Sequence, residues 1–457
     1  MSGTDAGKLP VLASLVLGAV LALVLISSSP LTELHPIFLL ALPLMCLAVL
    51  GMVVSPRTVV LGLIFSRVLL DPLLNTTKSE GGFGFGAVFN LAIVVLTAYL
   101  MLSQPRPAWT RGAFFKSWVV FIAVCVAAAA FSPFPAGGMR GIFNLLSYLC
   151  MAMIPSYLGP EKNDKKFWIG ALFLSTLLPV MIANLDMARG GTPSVDAGNR
   201  ILGTFTHPNI LGFYLVWVMM LALFVIKSGL FRLNGLQRIL MTGYFLNLIV
   251  LLAATRTRNA WICAWLFFFA YGVIKERRYL IYCGALLAAG LSVSTVATRM
   301  TDIFSQNSVE VNSLAWRFQV WGDSLPAILE KPFLGHGVGS FRELSSSFLV
   351  ANKEGAEAHS VYIQLLFEAG AAGLIAYAAI FWNLIRDFFR RFRRSFGGLS
   401  AEYALALSYL FIYLLIGVAD NLLGYLTLNW YVWFFIGVLL KATRFQRTSG
   451  PAGAEGT

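Results

Sequence analysis

Three groups of side chains in this sequence have the types and spacing to bind an anion or to move a proton. His359 stands in EAHSVYIQLLFEAGAAG (357–373), where a polar stretch gives way to a long apolar one. Arg256 and Arg258 lie in TRTRNAW (255–261), a short turn between two apolar runs. Arg200, His207 and Asn209 share NRILGTFTHPNILGFYL (199–215). An imidazole with an ordinary pKa near ~6.5 can take a proton from a hydroxyl at neutral pH. Guanidinium groups bind phosphate oxygens bidentately and stay charged when partly desolvated, whereas lysine is a hydrated point charge.

Each group also has a plainer reading. His359 could cap the helix that follows it, and His207, preceding Pro208 and Asn209, is a good helix start. The arginines could pair with Asp186, Asp196, Asp302 or Asp323, or with lipid headgroups. That reading is weaker for Arg256 and Arg258, which have little freedom to reach bulk water from a tight turn. Arg317 and His336 are further candidates for substrate contact. His336 sits in KPFLGHGVGSF (331–341), where three glycines at every second position predict a tightly turning loop. It is not a phosphate-binding P-loop, because lysine followed by serine or threonine is missing in the required order. Glu368, nine residues beyond His359, reads as a buried partner within the helix. No clustered carboxylates or His/Cys spacing suggest a metal site, so metal-independent chemistry without a cofactor is expected.

The elements that must position these groups are membrane helices. The chain of 457 residues is 58% hydrophobic and 12% charged, with a mean hydropathy of +0.76, values that exclude a water-soluble domain of this size. All five cysteines fall inside apolar runs, which points to packing rather than disulfides or metal. Apolar runs predict about fourteen spans: 9–28, 35–54, 57–71, 84–103, 116–132, 141–158, 166–186, 207–227, 236–254, 259–275, 279–297, 360–385, 402–421 and 425–441. The first is read as a retained helix rather than a signal peptide.

Lysine and arginine set the expected sidedness. RDFFRRFRRSF (386–396), read as an inter-span loop with five arginines, KERR (275–278) and the basic tail should face the cytoplasm. Both termini then lie inside, and Arg200, Arg256, Arg258, Arg317 and His359 share the outer face. The expected organisation is an all-α bundle of about 12–14 transmembrane helices with one long periplasmic insertion carrying amphipathic helices. Its parts are N-terminal helices (1–198), a motif-bearing membrane region (199–297), a periplasmic loop (298–358), C-terminal helices (359–445) and a flexible cytoplasmic tail (446–457). Within the insertion, Leu314, Phe318, Trp321, Leu325 and Ile328 recur as one helix face, for the outer leaflet or the top of the bundle. Pro326 should kink or restart that helix, with Ser324 as a cap.

His359, Ser360, nine residues, Gly370, two alanines and Gly373 match the ligase-type pattern of the superfamily of O-antigen ligases and Wzy-type polymerases. NRILGTFTHPNILGFYL, TRTRNAW and WRFQVWGDSLPAILEKPFLGHGVGSF (316–341) follow in that family's order, so the chain resembles it over about 199–390. The resemblance implies a bacterial inner-membrane glycosyltransferase acting at the periplasmic face on glycans carried by undecaprenyl diphosphate. By motif position His359 would be the general base. Arg256 or Arg258, with Arg200, would bind the diphosphate. His207, Asn209, Arg317 and His336 are candidate substrate contacts. The expected partners are the lipid-linked oligo- or polysaccharide, an acceptor glycan such as lipid A core or a growing chain, and membrane lipids; no nucleic acid is expected. An inverting ligase of lipopolysaccharide assembly is the leading expectation. A polymerase of O-antigen, capsule or exopolysaccharide is the first alternative. A transporter is the second, although no internal repeat supports it.

Overall fold

The computed structural model describes residues 51, 55–71, 85–158, 164–193, 199–292, 294, 313–350 and 355–441. The first expected span, all but residue 51 of the second, Asp196, Asp302, residues 298–312 and 351–354 of the long insertion and the C-terminal tail lie outside them. The described chain is a bundle of α-helices. Among the described residues there is no strand beyond one isolated bridge, Thr192 with Arg200.

In chain order the helices are α1 Pro56–Leu69, α2 Phe85–Ser103, α3 Ala113–Ala130, α4 Pro135–Tyr157, α5 Asp164–Ser175, α6 Leu177–Ala188, α7 Pro208–Lys227, α8 Gly235–Ala254, α9 Arg258–Ile274 and α10 Arg278–Ser292. There follow α11 Ser313–Glu330, α12 Ser340–Phe348, α13 Val361–Arg393, α14 Gly397–Ala419 and α15 Leu426–Lys441. Seven spans among the described residues, α5 and α6 counting as one, are long and apolar enough to cross a membrane, and four shorter apolar helices accompany them. The protein is a polytopic all-α membrane bundle.

The helices sort by the faces they bury. Helices α7, α14 and α15 are apolar on nearly every side and form the centre, as expected of a helix with no polar face. Trp217 of α7 meets Tyr409 of α14 and Phe435 of α15 edge-on, at ring-centroid distances of 5.2 and 5.3 Å. Around this core α4 packs on α15, α3 on α13, and α9 on α14. Helices α8 and α10 turn Ile239, Leu240, Leu246, Ile281 and Leu291 outward. In a bilayer those side chains face lipid at no cost.

One end of the bundle is held by ion pairs between helix termini: Asp164 with Arg57 and Lys441, Lys165 with Glu402, and Lys227 with Glu276. His359, Arg200 and the 255–258 turn gather at the other end. Cys125, Cys150, Cys263 and Cys283 are buried and free.

Four local expectations are corrected. The five-arginine segment is not an open loop, because α13 continues through it to Arg393. Phe388 is buried, Arg391 pairs with Asp387 one turn back at 2.6 Å, and the cationic last turn suits the helix dipole. The helix does not restart at Pro326, which lies inside α11, and Ser324 caps nothing: its hydroxyl donates to the Trp321 carbonyl at 2.9 Å. The expected apolar stripe on α11 divides between two faces. Val320, Ser324 and Ile328 turn inward, while Phe318, Leu325 and Leu329 remain exposed. Finally, Ser360 and not His359 is the N-cap residue of α13.

Candidate active site

Arg200 is seated by local structure. At the end of α6 the Asp186 carboxylate accepts from the backbone N–H groups of Leu202 and Gly203, at 2.6 and 3.0 Å. The Thr192–Arg200 bridge, with N–H···O distances of 2.7 and 2.9 Å, closes the loop. Asp186 is thereby occupied by backbone, as is Asp323, which accepts from Val350 N–H at 3.0 Å. The Arg200 guanidinium then reaches three neutral oxygens: the Thr255 carbonyl at 2.8 Å, the Thr257 hydroxyl at 2.8 Å and Asn209 Oδ1 at 3.1 Å. Two of the sequence motifs are joined by this one side chain.

The TRTR turn carries its own signature. Arg256 has φ 51°, in the left-handed region that a non-glycine residue adopts at a cost of roughly 1–3 kcal/mol. Its backbone N–H closes the end of α8 on Ala253 at 3.0 Å, and Arg258 opens α9 two residues later. A break this short between two helices leaves both arginines half-buried at the same end of the bundle.

His359 is the other non-glycine residue with positive φ among those described, at 47°. Asn421 holds the chain around it. Its Oδ1 accepts from Ser360 N–H at 3.1 Å, and its Nδ2 donates to Glu357 at 2.5 Å. Asp420, one residue earlier, accepts from Asn209 at 3.3 Å and from the Tyr425 hydroxyl. A continuous polar chain therefore runs from the TRTR turn through Arg200, Asn209, Asp420 and Asn421 to the Ser360 backbone N–H after His359 and the Glu357 carboxylate before it. Strain concentrated at two arginine and histidine positions that other contacts over-determine is a pattern characteristic of functional sites.

His207 caps α7 as expected, its Nδ1 accepting from Asn209 N–H at 3.1 Å. This geometry needs an unprotonated Nδ1. His207 is exposed but crowded by protein, and this partial loss of solvent pushes its pKa down; the neighbouring Arg200 and His359 add to this against Asp420 and Glu357. The same set of charges shows that His207, His359, Arg200, Asp420 and Glu357 share one electrostatic neighbourhood. Arg317 on α11 reaches it as well, acting on Tyr425, whose hydroxyl pKa is raised chiefly by burial and then by Asp420.

His336 is engaged elsewhere. Its ring stacks on Phe367 with centroids 4.6 Å apart, and Nε2 lies 2.7 Å from the Ala327 carbonyl. The loop that bears it fills a break in α13 at Gly370, where φ is 63° and ψ −167°. Around the break, Ala371 N–H donates to Pro332 at 2.8 Å, His336 N–H to Phe367 at 2.7 Å and Gly337 N–H to Glu368 at 3.0 Å. The Glu368 carboxylate, fully inside, accepts from Phe341 N–H and from Gln364, each at 3.3 Å. Gly370 therefore serves a backbone splice that ties the α11–α12 connection to the helix carrying His359.

A polar cavity of about 230 Å³ opens beside this cluster. Thr206, Glu357, Asn421 and Tyr425 form its site-facing wall, and Arg67, Asn90, Arg140 and Asn144 line it from α1, α2 and α4.

Residues 243–378 match the O-antigen ligase family model. No curated protein matches the chain. The O-antigen ligase match runs from within α8 into α13 and takes in Arg256, Arg258, Arg317, His336 and His359. It supports function of the membrane ligase or polymerase type. Arg200, His207 and Asn209 lie N-terminal to the matched region, and Asp420 and Asn421 lie C-terminal to it, yet all five contribute to the cluster.

Asp420 and Asn421 escaped sequence reasoning, as did the cavity residues on α1, α2 and α4. A signal was present for the first pair: ADNLLGY (419–425) puts an acid and an amide in the short turn between two apolar runs. Among the described residues no group of three or more His, Cys, Asp or Glu forms a metal-binding cluster.

Proposed function

We propose that the protein transfers a glycan from undecaprenyl diphosphate to an acceptor sugar at the periplasmic face of the bacterial inner membrane, as an O-antigen ligase of lipopolysaccharide assembly. One observation carries the reading: the polar chain that joins the TRTR turn, Arg200 and the backbone around His359 into one site. Transfer to a hydroxyl needs a base and a stabiliser of the leaving diphosphate, and the site offers an imidazole and several guanidiniums.

In this mechanism His359 takes the proton of the acceptor hydroxyl as its oxygen attacks the anomeric carbon. The bond from that carbon to the diphosphate oxygen breaks, and its electron pair leaves with the diphosphate. Attack opposite the leaving group inverts the anomeric centre. Arg256, Arg258 and Arg200 meet the charge that develops on the diphosphate; preorganised donors of this kind are typically worth a few kcal/mol, roughly a hundredfold or more in rate. Arg200 suits the role because Thr255, Thr257 and Asn209 hold its guanidinium in a fixed place between two of the motifs. His207, neutral while it caps α7, would lie beside the transferred sugar with Asn209. No step in this scheme calls on a metal ion or cofactor.

Reconstituting the purified protein with lipid-diphosphate oligosaccharide and lipid A core tests the proposal. A single glycan joined to the core supports a ligase. Extended polymer on the carrier, with nothing joined to core, would assign the polymerase reaction instead.

A further inference from the structure

Within the cavity beside the cluster, Arg67 presents an unusual chemical situation. The residue is 3% exposed, and its Nε and Nη1 have no hydrogen-bond partner. Its Nη2 reaches Asp71 at 3.3 Å, but Asp71 also accepts from the Thr427 hydroxyl at 2.6 Å. The guanidinium stands over the Trp430 ring at 5.7 Å, which fixes its plane without satisfying its N–H groups. Asn90, also buried, donates to Asn144 at 2.7 Å and leaves its Oδ1 with no partner. Donors and an acceptor inside a protein cost free energy when unmet, and a ligand with complementary groups in the cavity these residues line would relieve that cost as the side chains turn toward it.

The mixture identifies the ligand. The walls set two guanidiniums, Arg67 and Arg140, against two carboxylates, Asp71 and Glu357, together with the amides of Asn90 and Asn144; a diphosphate only accepts hydrogen bonds and would meet both carboxylates. A sugar hydroxyl donates and accepts at once, so it can serve Arg67, Asn90 and the carboxylates together. Phe143 and Tyr425 add aromatic surface for the apolar face of a sugar ring. The volume, about 230 Å³, is several times the roughly 30 Å³ share of one liquid water, the scale of a single ring and its shell. We propose that this cavity, built by α1, α2 and α4 with the 420–427 segment, is a saccharide subsite that holds one hydroxyl-rich sugar unit next to the reacting centre. The proposal rests on the glycan-transfer reading, and it places glycan selection in the N-terminal helices, outside the family match.

The test uses full-length protein in detergent micelles, with the lipid-free oligosaccharide repeat of the producing strain as probe. Saturation-transfer NMR reports binding, and reconstituted transfer gives KM and kcat. Asn90→Ala and Arg67→Lys should each weaken oligosaccharide binding and raise KM for the lipid-linked donor about tenfold. kcat should stay within about twofold, and inorganic diphosphate should leave oligosaccharide binding unchanged. Unfolding temperature identifies a variant that fails to fold, and the other variant then carries the test. Equal binding by a folded variant would overturn the subsite, as would displacement of the oligosaccharide by inorganic diphosphate. A protein that binds oligosaccharide through Asn90 yet transfers nothing would sink the transfer reading and leave the subsite standing.

Discussion

Replacing Gly370 by alanine probes the splice that holds the His359 helix. The glycine has φ 63° and ψ −167°, a region that L-residues enter at a cost of order 1–3 kcal/mol. A Cβ there would lie 2.3 Å from both the carbonyl carbon and the oxygen of Phe333, and 2.6 Å from Leu334 N. These are backbone atoms of the inserted loop and cannot rotate away, so the loop itself must shift, and overpacking of this kind costs typically 1–3 kcal/mol. The shift would stretch the Ala371–Pro332 and His336–Phe367 hydrogen bonds, now 2.8 and 2.7 Å, each worth about 1 kcal/mol. Together Gly370→Ala should destabilise by roughly 3–5 kcal/mol or more. Gly243→Ala is the matched control. It lies inside α8 with nothing within 4 Å of the added carbon, so it should be neutral or stabilising by up to ~1 kcal/mol. Thermal unfolding in micelles, followed by intrinsic fluorescence, should show a large fall for Gly370→Ala and no fall for Gly243→Ala. A Gly370→Ala protein as stable as the parent would refute the backbone-splice reasoning.

Other consequences follow from the cluster. Because His207 has a lowered pKa, its cap is intact at neutral pH and is lost as acidity protonates Nδ1. The stability it contributes is therefore present above the ordinary histidine pKa near ~6.5 and falls below it; His207→Asn, which keeps a capping oxygen, should show a flatter unfolding temperature between pH 7 and pH 5. Arg200→Lys should lower transfer about tenfold or more, since one ammonium cannot span Thr255, Thr257 and Asn209 in the planar arrangement of the guanidinium. Initial rates measured in proteoliposomes check this, and a rate equal to wild type would remove Arg200 from the site. Asn421→Ala releases both Ser360 N–H and the Glu357 carboxylate; kcat should fall about tenfold or more, with a smaller change in KM, as expected when the base is displaced by a fraction of an ångström.

The sequence makes the membrane helices legible because an apolar run long enough to cross lipid has few alternative fates. Thus 207–227 becomes Pro208–Lys227 and 236–254 becomes Gly235–Ala254. Helix ends beyond the apolar run are harder to see. The arginines after Ile385 read as loop by charge, yet Phe388 and the Asp387–Arg391 pair carry α13 onward. Pro326 reads as a kink or a restart, and α11 runs on through it with Val320 and Ile328 packed inward.

At the site, the motif residues were legible through type and order. Their supports were not, because support depends on contacts distant in sequence. Asn421 reaches Ser360 across 61 positions, and Arg67 comes beside Asn90 and Tyr425 only after the helices pack. Gly370 was legible as a position of the motif, but its positive φ and the loop inserted at the break exist only in three dimensions.

His359 is proposed here as the base of a transfer reaction whose diphosphate is held by the arginines around it. Single-turnover transfer by reconstituted wild-type and His359→Ala protein, measured across pH 5.5–8.5 with matched folding, tests it most directly. With His359 as the base, His359→Ala should lose at least about a hundredfold in rate, together with the rise in rate that accompanies imidazole deprotonation. Full transfer by folded His359→Ala protein, with the wild-type pH profile, would contradict it.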